Sequence, residues 1–335
     1  MTAHSPRDDR PRIGAGPVTG GSGRAALSWS DHHPAPLAGR YRLESRIGSG
    51  GMADVYRARD ELLGRRVALK VFRDAESADD LRRQHAEVQI LAGMSHPNLV
   101  TLYDAVAADD GRGALVLEYV EGGDLRSLLG RGPLHAAATA DIGHQVADAL
   151  AYIHARGVIH RDVSPSNILL SGTEQTGVTA KIADLGIARL VDDGRITATG
   201  VVIGTARYMS PEQARGERVS PSADVYSLGL VLLECLTGRR EFPGTAVESA
   251  AARLARDPLV PSELDPGWQR LLRSMTERDP RLRPSAEAAS RALRASAPAG
   301  GTVHWGMTVD PAPTADERTL PMTVRPDTTE VLEVG

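Results

Sequence analysis

Apolar residues along the chain follow two successive rhythms. Tyr41, Leu43 and Ile47 are spaced as in a strand before the chain enters a glycine cluster. Val55–Ala58 and Val67–Val71 are short β-prone runs separated by a turn at Leu63-Gly64. Residues 79–94 set Leu81, Val88 and Leu91 on one helical face, and Leu99–Ala105 and Ala114–Glu118 return to strand character. From Leu125 onward the elements are mainly helices, among them Ala136–Ala155 and Ala223–Leu236. Strands first and helices afterwards predict an α+β chain in two lobes.

Both ends lack this periodicity. Residues 1–38 are rich in Gly, Pro, Ser, Arg and Asp, and residues 297–335 form a similar tail that contains several threonines. Neither stretch can bury enough apolar surface to offset its ordering entropy, so both are expected to be disordered. The folded part is then 39–296, with an N-terminal lobe over about 39–120 and a C-terminal lobe over about 121–296.

Composition narrows the function classes. A net charge of -4 supplies no broad basic field, so nucleic acid is not an expected partner. Cys235 is the single cysteine, which excludes an intrachain disulfide and any Cys-based metal cluster. The longest apolar run, Val225 to Leu233, is far short of the roughly 20 residues that span a bilayer. With no apolar signal core at the N-terminus, the expectation is a cytoplasmic protein without a membrane segment or a sensor domain. Only Lys70 and Lys181 among the 39 basic residues are lysines, so each lysine is expected to have a specific reason.

Three segments carry chemistry. Gly48-Ser49-Gly50-Gly51-Met52-Ala53-Asp54-Val55 lies between two strand candidates. Its glycines allow backbone N–H groups to approach phosphate oxygens, although glycine clusters more often mark plain turns. Val67-Ala68-Leu69-Lys70 ends a strand on an ammonium that can reach phosphates, and Glu87 on the following helix can pair with it. His160-Arg161-Asp162-Val163-Ser164-Pro165-Ser166-Asn167, followed by Ala183-Asp184-Leu185-Gly186, is the strongest signal. Asp162 can accept a hydroxyl proton, and Asn167 and Asp184 offer oxygen ligands to Mg²⁺.

Taken together, residues 41–295 resemble the Hanks-type, eukaryotic-like Ser/Thr protein kinases, most closely those of actinobacteria. The resemblance implies the bilobal kinase fold, an N-lobe antiparallel sheet with one main helix and a mainly helical C-lobe. It implies ATP as cosubstrate with Mg²⁺ (or Mn²⁺), and protein hydroxyls as acceptors. It makes Leu117 the gatekeeper and Glu118–Val120 the hinge against adenine, with Asp124 near the ribose and Ile47, Ala68 and Leu169 around the nucleotide. Gly204-Thr205-Ala206-Arg207-Tyr208-Met209-Ser210-Pro211-Glu212 resembles the Ser/Thr form of the substrate-docking loop. There Thr205 would help hold the acceptor hydroxyl, Glu212 would pair with Arg283, and Asp224 would hold the catalytic-loop backbone. Thr197 and Thr199 stand where similar kinases autophosphorylate, and a phosphothreonine could pair with Arg161.

Three departures from the pattern stand out. Ala53 replaces the third glycine and Leu185 the usual phenylalanine, both small changes. Ser164 replaces a lysine that touches the γ-phosphate, and losing such a contact typically costs about 10²–10³ in turnover. A pseudokinase or docking module is therefore the alternative reading. The intact set Lys70, Glu87, Asp162, Asn167 and Asp184 argues against it. The docking loop argues against a small-molecule phosphotransferase. His96, His154, His160, Cys235 and Trp268 are expected to serve turns and packing. Protein substrates are the expected partners, with two further partner expectations. One is a phosphothreonine-binding forkhead-associated protein at the acidic string Asp327-Thr328-Thr329-Glu330, and the other is a homodimer.

Overall fold

A computed structural model of the protein describes residues 35–50, 53–73, 88–107, 112–173, 177–184 and 207–296. The strand-like rhythm becomes a five-stranded antiparallel sheet made of β1 (Tyr41–Ser49), β2 (Ala53–Asp60), β3 (Arg65–Phe72), β4 (Leu102–Ala107) and β5 (Gly113–Glu118). The strand order is β1-β2-β3-β5-β4. Central β3 buries Val67, Leu69 and Val71 in one cluster with Tyr41, Tyr56 and Val116. Phe72 joins Ala53 and Leu115 in another, against Val88 and Leu91 of the helical segment 88–92. A strand packed on both faces has no need to alternate, so Val67-Ala68-Leu69 runs apolar without a break.

The expected strand Leu99–Ala105 begins three residues later, at Leu102. Residues 98–100 pair elsewhere: Val100 N–H donates to the Ile182 carbonyl (3.0 Å), and Ile182 N–H to that of Asn98 (2.9 Å). Ile182 ends β7 (Gly177–Ile182), which forms a hairpin with β6 (Ile168–Thr173). The linking segment is thus stitched to this hairpin, so it is not available to β5. The expected helix over 79–94 falls partly outside the described residues.

Helices build the second lobe: α1 (Leu125–Leu129), α2 (Ala136–His154), α3 (Pro211–Ala214), α4 (Ser222–Thr237), α5 (Ala246–Ala255), α6 (Pro266–Met275) and α7 (Ala286–Ser296). Every residue of α4 from Ala223 to Cys235 is buried, as expected for a helix wrapped by others. It stops at Gly238, which takes φ 68° and returns its N–H to the Glu234 carbonyl at 2.7 Å. No helix among the described residues is long and apolar enough to cross a membrane.

Close approach explains one helix-interior glycine. A Cβ on Gly229 of α4 would stand 2.8 Å from Thr276 Cγ2 and 3.1 Å from Met275 Cβ. Alanine would gain about 1 kcal/mol of helix propensity, whereas overpacking costs about 1–3 kcal/mol. Gly229→Ala is accordingly expected to lower the melting temperature, the opposite of what a helix glycine usually gives.

Candidate active site

The loop between α2 and β6 is held from below by one buried carboxylate. Asp224 of α4, 1% exposed, accepts the His160 N–H on Oδ2 and the Arg161 N–H on Oδ1, each at 2.8 Å. His154 Nε2, at the end of α2, adds a contact to Oδ2 at 2.7 Å. Arg161 takes φ 64°, a conformation rare for a side-chain-bearing residue. Such strain persists only where surrounding bonds over-determine it, and the two bonds to Asp224 do so here.

His160 ties this loop to the segment after β7. Its Nδ1 faces the Asp162 N–H at 3.3 Å and its Nε2 the Ala183 carbonyl at 3.1 Å. That pair of partners demands a neutral ring protonated on Nε2. Complete burial pushes the His160 pKa down. The ring then carries fewer protons folded than unfolded, so its contribution favours unfolding as pH falls below the unfolded value of about 6.5. Melting scans between pH 7.5 and 5 should show a falling midpoint, and His160→Gln should flatten that fall.

The candidate catalytic side chains converge above this base. Asn167 Nδ2 donates to the Asp162 carbonyl (2.8 Å) and to Asp162 Oδ2 (2.9 Å). With its amide nitrogen engaged there, the Asn167 side-chain oxygen points the other way. Ala183 N–H donates to the Asn167 carbonyl at 2.8 Å, which fixes Asp184 beside Asn167. Asp184 adopts φ 53° and is about half exposed, and its Oδ1 receives Lys70 Nζ from β3 at 3.0 Å. The Lys70 charge holds the Asp184 carboxyl below the usual carboxylate range. Lys70, Asp162, Asn167 and Asp184 therefore form one cluster at the meeting of the lobes.

Around this cluster lie the other expected residues. Gly48 and Ser49 pair with Val55 and Asp54 across the β1–β2 turn, and Gly50 N–H bonds the Ala53 carbonyl at 2.9 Å. Asp54 accepts from the Ser49 hydroxyl at 2.7 Å and from Arg73, and Ile47 is exposed at the lip. Ala68 and Leu117 are register partners on β3 and β5, and Glu118 ends β5 just before Val120. Asp124 caps α1 by accepting the Ser127 N–H at 2.7 Å and bridges to Leu169. Gly51, Met52, Glu87, Leu185, Thr197, Thr199 and Thr205 lie outside the described residues, as do residues 1–34 and 297–335 of the expected tails. Leu37, expected in the first tail, is instead buried with the sheet and bridges to Tyr41.

In the segment expected to dock the substrate, Glu212 and Arg283 meet in a two-pronged pair with oxygen–nitrogen distances of 2.7 and 2.9 Å, almost wholly buried. Ser210 and Gln213 close a capping box on α3, and Gln213 Nε2 donates onward to the Arg161 carbonyl at 3.0 Å. The expected docking segment is in this way bonded to the loop that carries Asp162 and Asn167.

Sequence reasoning missed several partners. Lys181 Nζ bonds Glu118 Oε2 at 3.0 Å, so both lysines of the chain make ion pairs between the sheet lobe and the helical lobe. The scarcity of lysine was the available signal. His154 touches Asp224 rather than merely packing. Arg253 of α5, 1% exposed, donates to the carbonyls of Met209 and Arg207 at 2.7 and 2.6 Å. Burial lowers its pKa to about 10, which still leaves it charged at neutral pH.

Comparison with known proteins gives the arrangement a setting. The family model described as protein kinase domain matches residues 41–293. Serine/threonine-protein kinase PknA of Mycobacterium tuberculosis is 41% identical over 256 residues, covering 74% of this chain and 58% of the relative. Serine/threonine-protein kinase PknB of Mycobacterium leprae is 43% identical over 243 residues, covering 70% of this chain and 38% of the relative. The chain thus spans little more than half the length of the first of these relatives, and less of the second.

Proposed function

The chain belongs to the protein kinase domain family, and from that premise we propose that it transfers the γ-phosphate of ATP to serine and threonine hydroxyls of proteins. The observation that carries this reading is the convergence of Lys70, Asp162, Asn167 and Asp184 at the junction of the lobes. The relatives' names support the serine/threonine class for the acceptor.

The donor set suits a hard divalent cation with a nucleotide. Asn167 and Asp184 supply only oxygen, and two such side chains leave most of an octahedral shell for phosphates and water, the habit of Mg²⁺. When bound, MgATP supplies the phosphoryl group and the charge that screens it. The chain's own residues do the rest. Lys70 reaches toward phosphate from the rigid centre of the sheet, oriented by Asp184. Asp162 accepts the proton of the acceptor hydroxyl as that oxygen attacks, and Asn167 fixes one carboxylate oxygen so that the base is positioned beforehand. Ala68, Leu117 and the connection Glu118–Val120 form the apolar and backbone wall for adenine, with Asp124 and Leu169 beneath. The same reading takes Thr205 as an acceptor-side residue and Glu87 as a partner of Lys70. It also makes Thr197 and Thr199 autophosphorylation sites.

Pure protein incubated with Mg²⁺, labelled ATP and a generic protein substrate tests this directly. Label on phosphoserine or phosphothreonine after acid hydrolysis is the expected result. No incorporation at all would return the pseudokinase reading.

Ser164 is the weak point in the charge balance. It is 3% exposed, and its hydroxyl has no hydrogen-bond partner among the described residues. A serine there cannot neutralise charge developing on the transferred group, and one such contact is typically worth about 10²–10³ in turnover. Ser164→Lys is expected to raise kcat by at least about tenfold, part of that range. An unchanged kcat, with the melting temperature preserved, would mean that another group already supplies the charge.

A further inference from the structure

Next to the docking segment is a charge pattern that phosphoryl transfer does not use. Glu234, in the last turn of α4 and only 4% exposed, has both oxygens occupied. Oε1 receives Arg126 Nη1 of α1 at 2.6 Å, and Oε2 receives the Tyr208 hydroxyl and Arg126 Nη2, the latter at 3.3 Å. Arg126 also contacts the Tyr208 hydroxyl, so docking segment, α1 and α4 share one buried knot. Arg240 then brings a second guanidinium, its Nε 3.8 Å from Glu234 Oε1.

One buried carboxylate therefore faces two guanidinium groups, and the excess is positive. Arg240 is 40% exposed and Arg126 26%, while Arg239, next to Arg240 in the chain, is exposed. Among the described residues, the carboxylates on the adjoining segments are engaged, Asp124 by the Ser127 N–H at the start of α1. Glu241 binds Arg256 and the Leu259 N–H, Glu248 the Thr245 N–H, and Glu212 is buried on Arg283. Among the described residues of this face, the exposed charge left over is guanidinium.

Resting on the kinase reading above, we propose that this face selects acceptor segments carrying acidic residues near the phosphorylated hydroxyl, with Arg126, Arg239 and Arg240 as the specificity-determining residues. Tyr208 lies in the docking segment that leads to α3, so the cluster sits on the side where the acceptor peptide must lie. A peptide carboxylate finds partly desolvated guanidinium groups there. A peptide arginine finds like charge and, among the described residues of this face, no open carboxylate, because Glu234 is already neutralised. Specificity here comes from repulsion as much as from attraction.

A matched peptide set tests the proposal: one threonine flanked on either side by three Asp or by three Arg. Transfer is read as kcat/KM, and binding separately as fluorescence anisotropy of labelled peptides. Asp peptides should be preferred by about tenfold, the scale of two or three partly exposed charge pairs. High salt should shrink the preference. Arg239→Glu/Arg240→Glu should reverse it. Both side chains are at the surface, so a preserved melting temperature is the folding control. Arg126→Met, which leaves the Glu234 carboxylate open to a peptide, should erase the preference independently. Equal use of both peptides, or a preference that survives charge reversal, would overturn the inference and leave the kinase reading intact. If no peptide or protein accepts phosphate while anisotropy still favours Asp peptides, the docking inference holds and the kinase reading falls.

Discussion

Asp162→Asn is expected to lower phosphoryl transfer by about 10²–10⁴-fold, the usual contribution of a positioned general base. The amide is nearly isosteric with the carboxylate. Its oxygen can still accept Asn167 Nδ2 at the Oδ2 position, and the backbone bonds to Asn167 and His160 do not involve the changed atoms. The loop should keep its shape, because Asp224 holds it from α4 through the His160 and Arg161 N–H groups. Only the basicity is lost. Nucleotide affinity should therefore change little, since Lys70 and Asp184 remain paired at 3.0 Å. Single-turnover incorporation of label gives the first quantity and calorimetry with ATP the second. Transfer within tenfold of the unchanged protein would mean that Asp162 positions the acceptor without taking its proton. Loss of ATP binding together with transfer would point instead to a disturbed loop.

Much of this site could be read in the sequence because its chemistry is local in the chain. Asp162 and Asn167 are five residues apart, and the glycine loop and Lys70 lie on adjacent strands, so residue order alone brings each set together. The Glu212–Arg283 contact was expected from family resemblance and is present in detail. What stayed hidden was long-range pairing between side chains. Lys181 reaches Glu118 across 63 positions, His154 reaches Asp224 across 70, and Arg126 reaches Glu234 across 108. No periodicity encodes such pairs. They are products of how the helices pack, and each side chain alone looks like ordinary surface charge. The start of β4 was misplaced for a related reason. Leu99 is as apolar as a strand residue, but backbone bonds to β7 claim the segment around it. The β6–β7 hairpin had its own signal in the alternation of Val178, Ala180 and Ile182, all buried, although the run is short.

Arg283→Met should produce the largest stability loss. All five guanidinium donors are used: Nε to the Glu277 carbonyl, Nη1 to Glu212 Oε1 and the Ser222 carbonyl, and Nη2 to Glu212 Oε2 and the Arg278 carbonyl. Methionine fills part of the volume and supplies none of these donors. It leaves the Glu212 carboxylate, 3% exposed, without its counter-charge. Removing one partner of a buried pair costs about 3–5 kcal/mol, which for a domain of this size is a fall in melting temperature of roughly 6–20 °C. Lysine should rescue little, having three donors and no planar fork to match a carboxylate. The companion variant Glu212→Gln/Arg283→Met should recover part of the loss, because no buried charge is then stranded. Activity separates this role from bulk stabilisation. Glu212 lies within α3, whose Gln213 holds the Arg161 carbonyl, so a loosened α3 should slow transfer even well below the melting temperature. If Arg283→Met melts early but turns over normally in the cold, the pair supports the fold alone, and the docking segment keeps its register through Ser210, Gln213 and Arg253.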